Sequence, residues 1–120
     1  MKPGNEIQVE NGEWAKIHNS ILEVLATCKF TQYEFRCLLF LLRKTYGYGK
    51  KQDEISLAQW VAGTGIEKRN VSRTINGLVG KNVVYCSEIQ LGRGNTTSYG
   101  FNKYHEQWCV EKVYVDTPIE

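Results

Sequence analysis

The chain has 120 residues, a formal net charge of +2 and 42% hydrophobic residues, with only two prolines. This length and composition predict one folded domain and exclude an intrinsically disordered protein. The longest apolar run, CLLFLL, is far too short to cross a bilayer, so we expect no membrane partner.

The four cysteines and two histidines do not form the closely spaced pairs that a structural zinc site requires. We therefore expect four reduced thiols in a reducing cytoplasm, three of them in the core, with no metal and no other cofactor. The chain also has no G-x-S-x-G motif and no phosphate-binding loop, which predicts that it is not an enzyme.

Positive charge is concentrated in the middle of the chain. Residues 31–103 contain 11 Lys and Arg against five Asp and Glu, whereas the two ends are net acidic. We expect a flexible arm at residues 1–13, a folded domain at residues 14–103, and an acidic tail or the start of a linker at residues 104–120. This tail is expected to be loosely attached, or to pack through Trp108 alone.

The first two predicted helices follow the arm. The stretch EWAKIHNSILEVL enters the first helix, with Asn19 or Ser20 as the N-cap. In the second helix, Thr31 and Glu34 form a T-x-x-E capping box, and the helix is expected to end near Gly47. This second helix is the most regular pattern in the sequence.

A third helix has the same kind of start, because Ser56 and Gln59 form an S-x-x-Q capping box. Hydrophobic residues occupy the staple positions around both boxes: Phe30 with Phe35, and Ile55 with Trp60. The third helix ends at Gly-Thr-Gly, residues 63–65, and another helix begins directly after it. Two helices joined by a tight glycine-containing turn indicate a helix-turn-helix.

The helix predicted at residues 67–80 has two different sides. Its aliphatic residues fall on one side at helical spacing, whereas Arg69, Arg73 and Asn76 fall on the other. Arg and Asn are the residues that read guanine and adenine edges in the major groove, so this helix is predicted to recognise DNA. The predicted base-reading residues are Arg69, Asn70, Ser72, Arg73 and Asn76.

Beyond residue 82 the hydrophobic period changes to two. The runs VVYCSEIQL and TSYGFN predict a β-hairpin, separated by GRGNT. Residues 92–97 form the predicted wing, in which Arg93 and Asn95 would reach a flanking minor groove. This order predicts a mostly α fold with a small β-hairpin wing, an α+β winged helix-turn-helix.

Four lysines are predicted to contact the DNA backbone: Lys50, Lys51, Lys68 and Lys81. In RKTYGYGKK, Arg43 and Lys44 are explained by the favourable interaction of cations with the helix C-terminus. The two lysines beyond the helix end are not explained in this way. Exposed helices often carry Arg and Lys for solvation alone. A winged-helix transcriptional regulator and a winged helix used for protein contact are therefore both alternatives that these patterns leave open.

The stretch LLRKTYGYGKKQDEIS resembles the LRKTYGW-x-K-x-x-D-x-I-[ST] signature of the amino-terminal domain of bacteriophage replication protein O. EWAKIHNSILEVL and FTQYEFRCLLFLL are similar to the family's preceding helices, so the resemblance covers about residues 13–108. It implies a winged-helix domain, in the bacterial host cytoplasm, that binds repeated sites in double-stranded DNA at a phage replication origin.

Two expectations about partners follow from the same resemblance. Inverted repeats would require a homodimer. In that family a separate carboxy-terminal region recruits the helicase–loader complex, and we expect this chain, which ends at Glu120, to lack that region.

Overall fold

A computed structural model describes residues 14–91 and 94–113, and describes the side chains of all of these except residues 89–96. The predicted arm and the last seven residues lie outside the described part. Within it, the chain forms four α-helices and one antiparallel sheet of three strands. The elements are α1 (Asn19–Thr27), α2 (Gln32–Lys44), β1 (Gln52–Glu54), α3 (Leu57–Thr64), α4 (Lys68–Gly80), β2 (Val84–Leu91) and β3 (Gly94–Phe101), with 3₁₀ turns at Tyr46–Tyr48 and His105–Gln107.

The capping box predicted for α2 is confirmed. The Thr31 hydroxyl accepts from the Glu34 backbone N–H at 3.1 Å, and Glu34 Oε1 accepts from the Thr31 backbone N–H at 2.8 Å. The predicted staple also forms, because the rings of Phe30 and Phe35 meet edge to face with centroids 5.3 Å apart. The helix ends at Lys44, three residues before the predicted stop.

The start of α1 corrects a prediction. Its N-cap is His18, whose ring Nδ1 accepts from the Ser20 backbone N–H at 3.1 Å. The expected Asn19 is the first helical residue instead. An imidazole nitrogen supplies the same acceptor as a hydroxyl or amide oxygen, but the usual N-cap preference for Asn and Ser gives it no weight.

The two helices joined by a glycine-containing turn have the predicted form. The second capping box closes the start of α3, with Ser56 and Gln59 exchanging hydrogen bonds of 3.1 and 2.8 Å. Gly65 ends the helix at φ 69°, a left-handed conformation that favours glycine. Three residues separate α3 from α4, and Glu67 at the start of α4 makes no side-chain capping hydrogen bond.

The sheet contains one strand more than the predicted hairpin. Its order is β1-β3-β2, so β3 is the central strand. β1 has only three residues, which is too short for an alternating pattern to reveal it in the sequence. β2 and β3 pair from Val84–Phe101 to Leu91–Gly94, so two residues separate the strands instead of the predicted GRGNT.

Trp60 lies at the centre of the core and is 1% exposed. The ring of Phe40 in α2 lies 5.2 Å from it and the ring of Tyr99 in β3 lies 5.4 Å from it, measured between centroids. The helix-facing side of the sheet is therefore the side that carries Tyr99. Cys28 and Cys37 are buried, but Cys86 and Cys109 are exposed, so the prediction of three core cysteines is wrong.

The segment after β3 is attached at more points than Trp108 alone. The Trp108 indole N–H donates to the Asn102 carbonyl at 2.8 Å, and the ring packs against Phe101 and Phe30. Three backbone hydrogen bonds join the following residues to earlier ones: Cys109 N–H to Lys81 O at 2.8 Å, Lys29 N–H to Glu111 O at 2.7 Å, and Val113 N–H to Thr27 O at 2.7 Å. These contacts hold residues 104–113 on the domain, while the domain limits themselves stay a prediction.

Candidate nucleic-acid interface

The outer side of α4 is the surface on which the predicted base-reading residues meet. Arg69, Arg73 and Asn76 are exposed, and Asn70 and Ser72 are partly exposed. The opposite side of the helix is buried through Val71, Ile75 and Leu78. Burial of these aliphatic residues fixes the rotation of the helix, and with it the direction in which the arginines point.

The two edges of α4 border different parts of the domain. Ser72 lines an open cleft of about 600 Å³ together with residues at the start of α3 and in β3, including Ser56, Gln59 and Thr97. Arg73 lines a shallow depression on the other edge, beside the first turn of α2. The exposed side of α4 therefore stands between two recesses.

The four lysines predicted to contact phosphate do not lie together. Lys68 is exposed at the first turn of α4, beside the arginines. Lys50 and Lys51 precede β1. Lys50 is within 3.3 Å of the Asp53 carboxylate, and Lys51 lines a depression to which no residue of α4 contributes, among the described residues.

Lys81 has a partner inside the protein. Its ammonium lies 2.6 Å from Glu34 Oε2, and Glu34 is only 6% exposed. Burial alone would raise the pKa of the Glu34 carboxyl, but hydrogen bonds from Lys81 and Thr31, together with the Lys81 charge, lower it below its ordinary value. The pair joins the start of α2 to the end of α4.

The wing residues cannot be placed in the same detail. Arg93 lies outside the described residues, and Asn95 belongs to β3 but its side chain lies outside the described part. Their predicted contact with a flanking groove stays a prediction. Within the described residues, no three His, Cys, Asp or Glu side chains are grouped to hold a metal ion. No helix there is long and apolar enough to span a membrane.

A cluster of cations around Tyr48 can be predicted only in part from the sequence. The ring of Tyr48 has three cations near it, with its centroid 4.6 Å from the Arg43 guanidinium carbon, 5.9 Å from Lys44 Nζ and 5.8 Å from Lys50 Nζ. RKTYGYGKK brings these residues together along the chain. That Tyr48 stands among all three cations is visible only in the structure.

Comparison with known proteins gives these surfaces a context. A model of the family "Bacteriophage replication protein O" matches residues 6–108. The chain is 29% identical over 106 residues to replication protein O of Escherichia phage lambda, an alignment that covers 88% of this chain and 29% of that protein. It is 30% identical over 95 residues to DNA replication protein gp18 of Salmonella phage P22, covering 79% and 32%.

A third relative is replication protein 15 of Enterobacteria phage phi80, 22% identical over 111 residues, with 92% of this chain and 35% of that protein covered. The chain thus spans about a third of the length of these curated relatives. No solved structure matches it. The family model extends from the arm to Trp108 and so includes every element described above, and on this ground the chain belongs to the bacteriophage replication protein O family.

Proposed function

We propose that this chain is a winged-helix domain that binds double-stranded DNA sequence-specifically at a phage replication origin, with α4 in the major groove. The observation that carries the proposal is the exposed row of Arg69, Arg73 and Asn76, on a helix that follows α3 after a three-residue turn. An exposed helix in this position can enter a major groove without rearrangement of the core.

The element order supports the winged-helix part of the proposal. α3, the turn and α4 are followed directly by the β2–β3 hairpin, and β1 pairs with β3 to complete the sheet. In a winged helix the hairpin tip would lie beside the recognition helix, and Arg93 and Asn95 would there contact the flanking groove.

The chemistry of the outer side of α4 fits base recognition. A guanidinium donates two hydrogen bonds to guanine O6 and N7, and an Asn amide pairs with adenine N6 and N7. Asn70 and Ser72 stand at the edges of the row, where they would contact neighbouring bases or sugars. Lys68, at the same end of the helix as Arg69, would neutralise a phosphate.

The location at a replication origin is supported by family membership. Two of the relatives are named replication proteins and a third a DNA replication protein. Repeated origin sites would be bound by one domain each, or by a homodimer where two repeats are inverted. Contact with the helicase-loading machinery is a role that the family resemblance assigns to a separate carboxy-terminal region.

The test is DNA binding by Arg69→Ala, Arg73→Ala and the double variant, measured by fluorescence anisotropy on a duplex from the phage's own origin and on a scrambled duplex. Each substitution is expected to reduce discrimination by about 1–3 kcal/mol, because a bidentate base contact is lost. Lys29→Ala is the matched control, since it removes an exposed charge at the α1–α2 connection. If the double variant discriminates as well as the wild type, α4 is not the reader.

A further inference from the structure

We propose that a second surface of this domain binds single-stranded DNA. The surface, here called the tyrosine–lysine face, consists of Lys16, Tyr46, Lys51, Tyr85, Lys103 and Tyr104. The proposal goes beyond duplex recognition by α4 and does not depend on it.

The tyrosine–lysine face contains two neighbouring depressions. Lys51, Tyr85 and Tyr104 line one open depression of about 350 Å³, and Lys16 lines a neighbouring one of about 500 Å³. Tyr46 and Lys103 line both, so the two depressions adjoin. Among the described residues, neither is lined by an Asp or Glu side chain, so both depressions carry positive charge from lysines.

The sheet places Tyr85 on this surface. Tyr85 stands directly opposite Gly100 of β3, and a Cβ at that glycine would overlap the tyrosine ring. The Tyr85 ring therefore packs directly against the Gly100 backbone, and its hydroxyl donates to the Lys51 carbonyl at 3.2 Å. Side chains alternate along β3, so this is the side of the sheet opposite the one on which Tyr99 packs against Trp60.

The Tyr48 cluster is next to the tyrosine–lysine face along the chain, because Tyr48 follows Tyr46 by two residues and Lys50 precedes Lys51. Tyr48 is 58% exposed although Arg43 and two lysines stand near its ring. Tyr104, at the other end, is 54% exposed, with Lys103 Nζ 5.4 Å from its ring centroid. Each end thus presents an aromatic ring together with a cation.

A surface that combines exposed rings with cations fits single-stranded better than double-stranded DNA. Phosphates of either form can be neutralised by lysines alone. Exposed aromatic rings gain from bases whose faces are free to stack, and those faces are covered in a duplex. Proteins that bind single strands without sequence preference combine a basic groove with such rings, which is the composition found here.

The experiment measures binding of a labelled oligothymidylate of about 20 nucleotides by fluorescence anisotropy at low salt, in the whole chain. The double variant Tyr48→Ala/Tyr104→Ala is expected to lose about tenfold or more in affinity, because two stacking rings are removed from exposed positions. Tyr48→Phe/Tyr104→Phe keeps the rings and should bind like the wild type. Lys51→Ala and Lys103→Ala should each flatten the salt dependence by roughly 0.7.

Two controls separate this proposal from duplex recognition. Arg69→Ala/Arg73→Ala should weaken binding to the origin duplex and leave oligothymidylate binding unchanged. Tyr33→Ala removes an exposed tyrosine from α2, outside the tyrosine–lysine face, and should leave oligothymidylate binding unchanged. The proposal is overturned if the wild type does not bind oligothymidylate, if the double tyrosine variant binds it unchanged, or if that variant weakens only duplex binding. Weakened duplex binding alone would mean that the tyrosine–lysine face contacts duplex DNA that flanks the site. If the wild type bound no DNA at all, a protein contact would be favoured.

Discussion

At the scale of single residues, Glu34 has two structural roles that act together. One oxygen caps α2 through the Thr31 backbone N–H, and the other receives the ammonium of Lys81 at 2.6 Å. The carboxylate is almost completely buried, so its charge is tolerated only because both oxygens have donors. Removing either donor should therefore destabilise the fold, because part of the buried negative charge would then lack a hydrogen-bond partner.

Removing the lysine should destabilise the fold. Lys81→Met leaves a buried carboxylate with only the capping donor, and full burial would make this cost roughly 3–5 kcal/mol. Since the lysine side chain is itself 38% exposed, water can reach the pair and we expect about 1–2 kcal/mol. Urea unfolding at neutral pH measures the loss, and Lys29→Met, in an exposed pair 3.9 Å long, is the matched control with almost no effect.

The same carboxylate should make stability depend on pH in the acid range. The pKa of Glu34 is lowered in the folded protein, so its contribution is complete above the ordinary glutamate pKa, about 4.3, and is lost as pH falls through the folded value. Glu34→Gln retains an oxygen for the Thr31 N–H but carries no charge. Its unfolding free energy should fall less steeply below about pH 4.3 than that of the wild type. Equal slopes would show that other acids account for the acid loss.

At the scale of elements, glycines in α3 and α4 have different surroundings. A Cβ at Gly63 of α3 would overlap the ring of Phe40, which is packed against Trp60, whereas a Cβ at Gly77 of α4 would meet nothing within 4 Å. Gly63→Ala should therefore destabilise by about 1–3 kcal/mol through overpacking. Gly77→Ala should stabilise by up to about 1 kcal/mol through helix propensity alone. Thermal unfolding of both variants compares them, and destabilisation of equal size would contradict this account.

The same scale shows what the sequence can and cannot predict. The capping boxes of α2 and α3 depend on residues three apart, so local spacing was enough to place both helix starts. The sequence does not predict β1, because its three residues are defined by pairing with β3, more than 40 residues later, and not by any local pattern. The sequence does not single out His18 as the N-cap of α1, because many residue types can supply one hydrogen-bond acceptor.

At the scale of the whole molecule, some features of the candidate site follow from helical periodicity in the sequence, and others arise only from tertiary contacts. The outward direction of Arg69 and Arg73 follows from burial of the opposite side of α4, which the sequence pattern predicts. No local pattern in the sequence predicts that Lys81 pairs with Glu34, which lies 47 residues earlier. The tyrosine–lysine face likewise draws its residues from four separate places: the segment before α1, the connection from α2 to β1, strand β2 and the segment after β3.

This difference between lysines gives a prediction about the domain's electrostatics on duplex DNA. Lys68 is exposed beside Arg69 at the start of α4, so Lys68→Ala should weaken binding to all duplexes similarly and flatten the dependence of log K on log salt by roughly 0.9. Lys81→Ala should leave that slope unchanged, because the ammonium is already neutralised by Glu34. Anisotropy titrations across a salt series, at a temperature where circular dichroism shows both variants folded, make the comparison. An equal flattening by Lys81→Ala would mean that the ion pair opens on DNA, and would return this lysine to the phosphate-contacting role that its charge and position in the sequence predict.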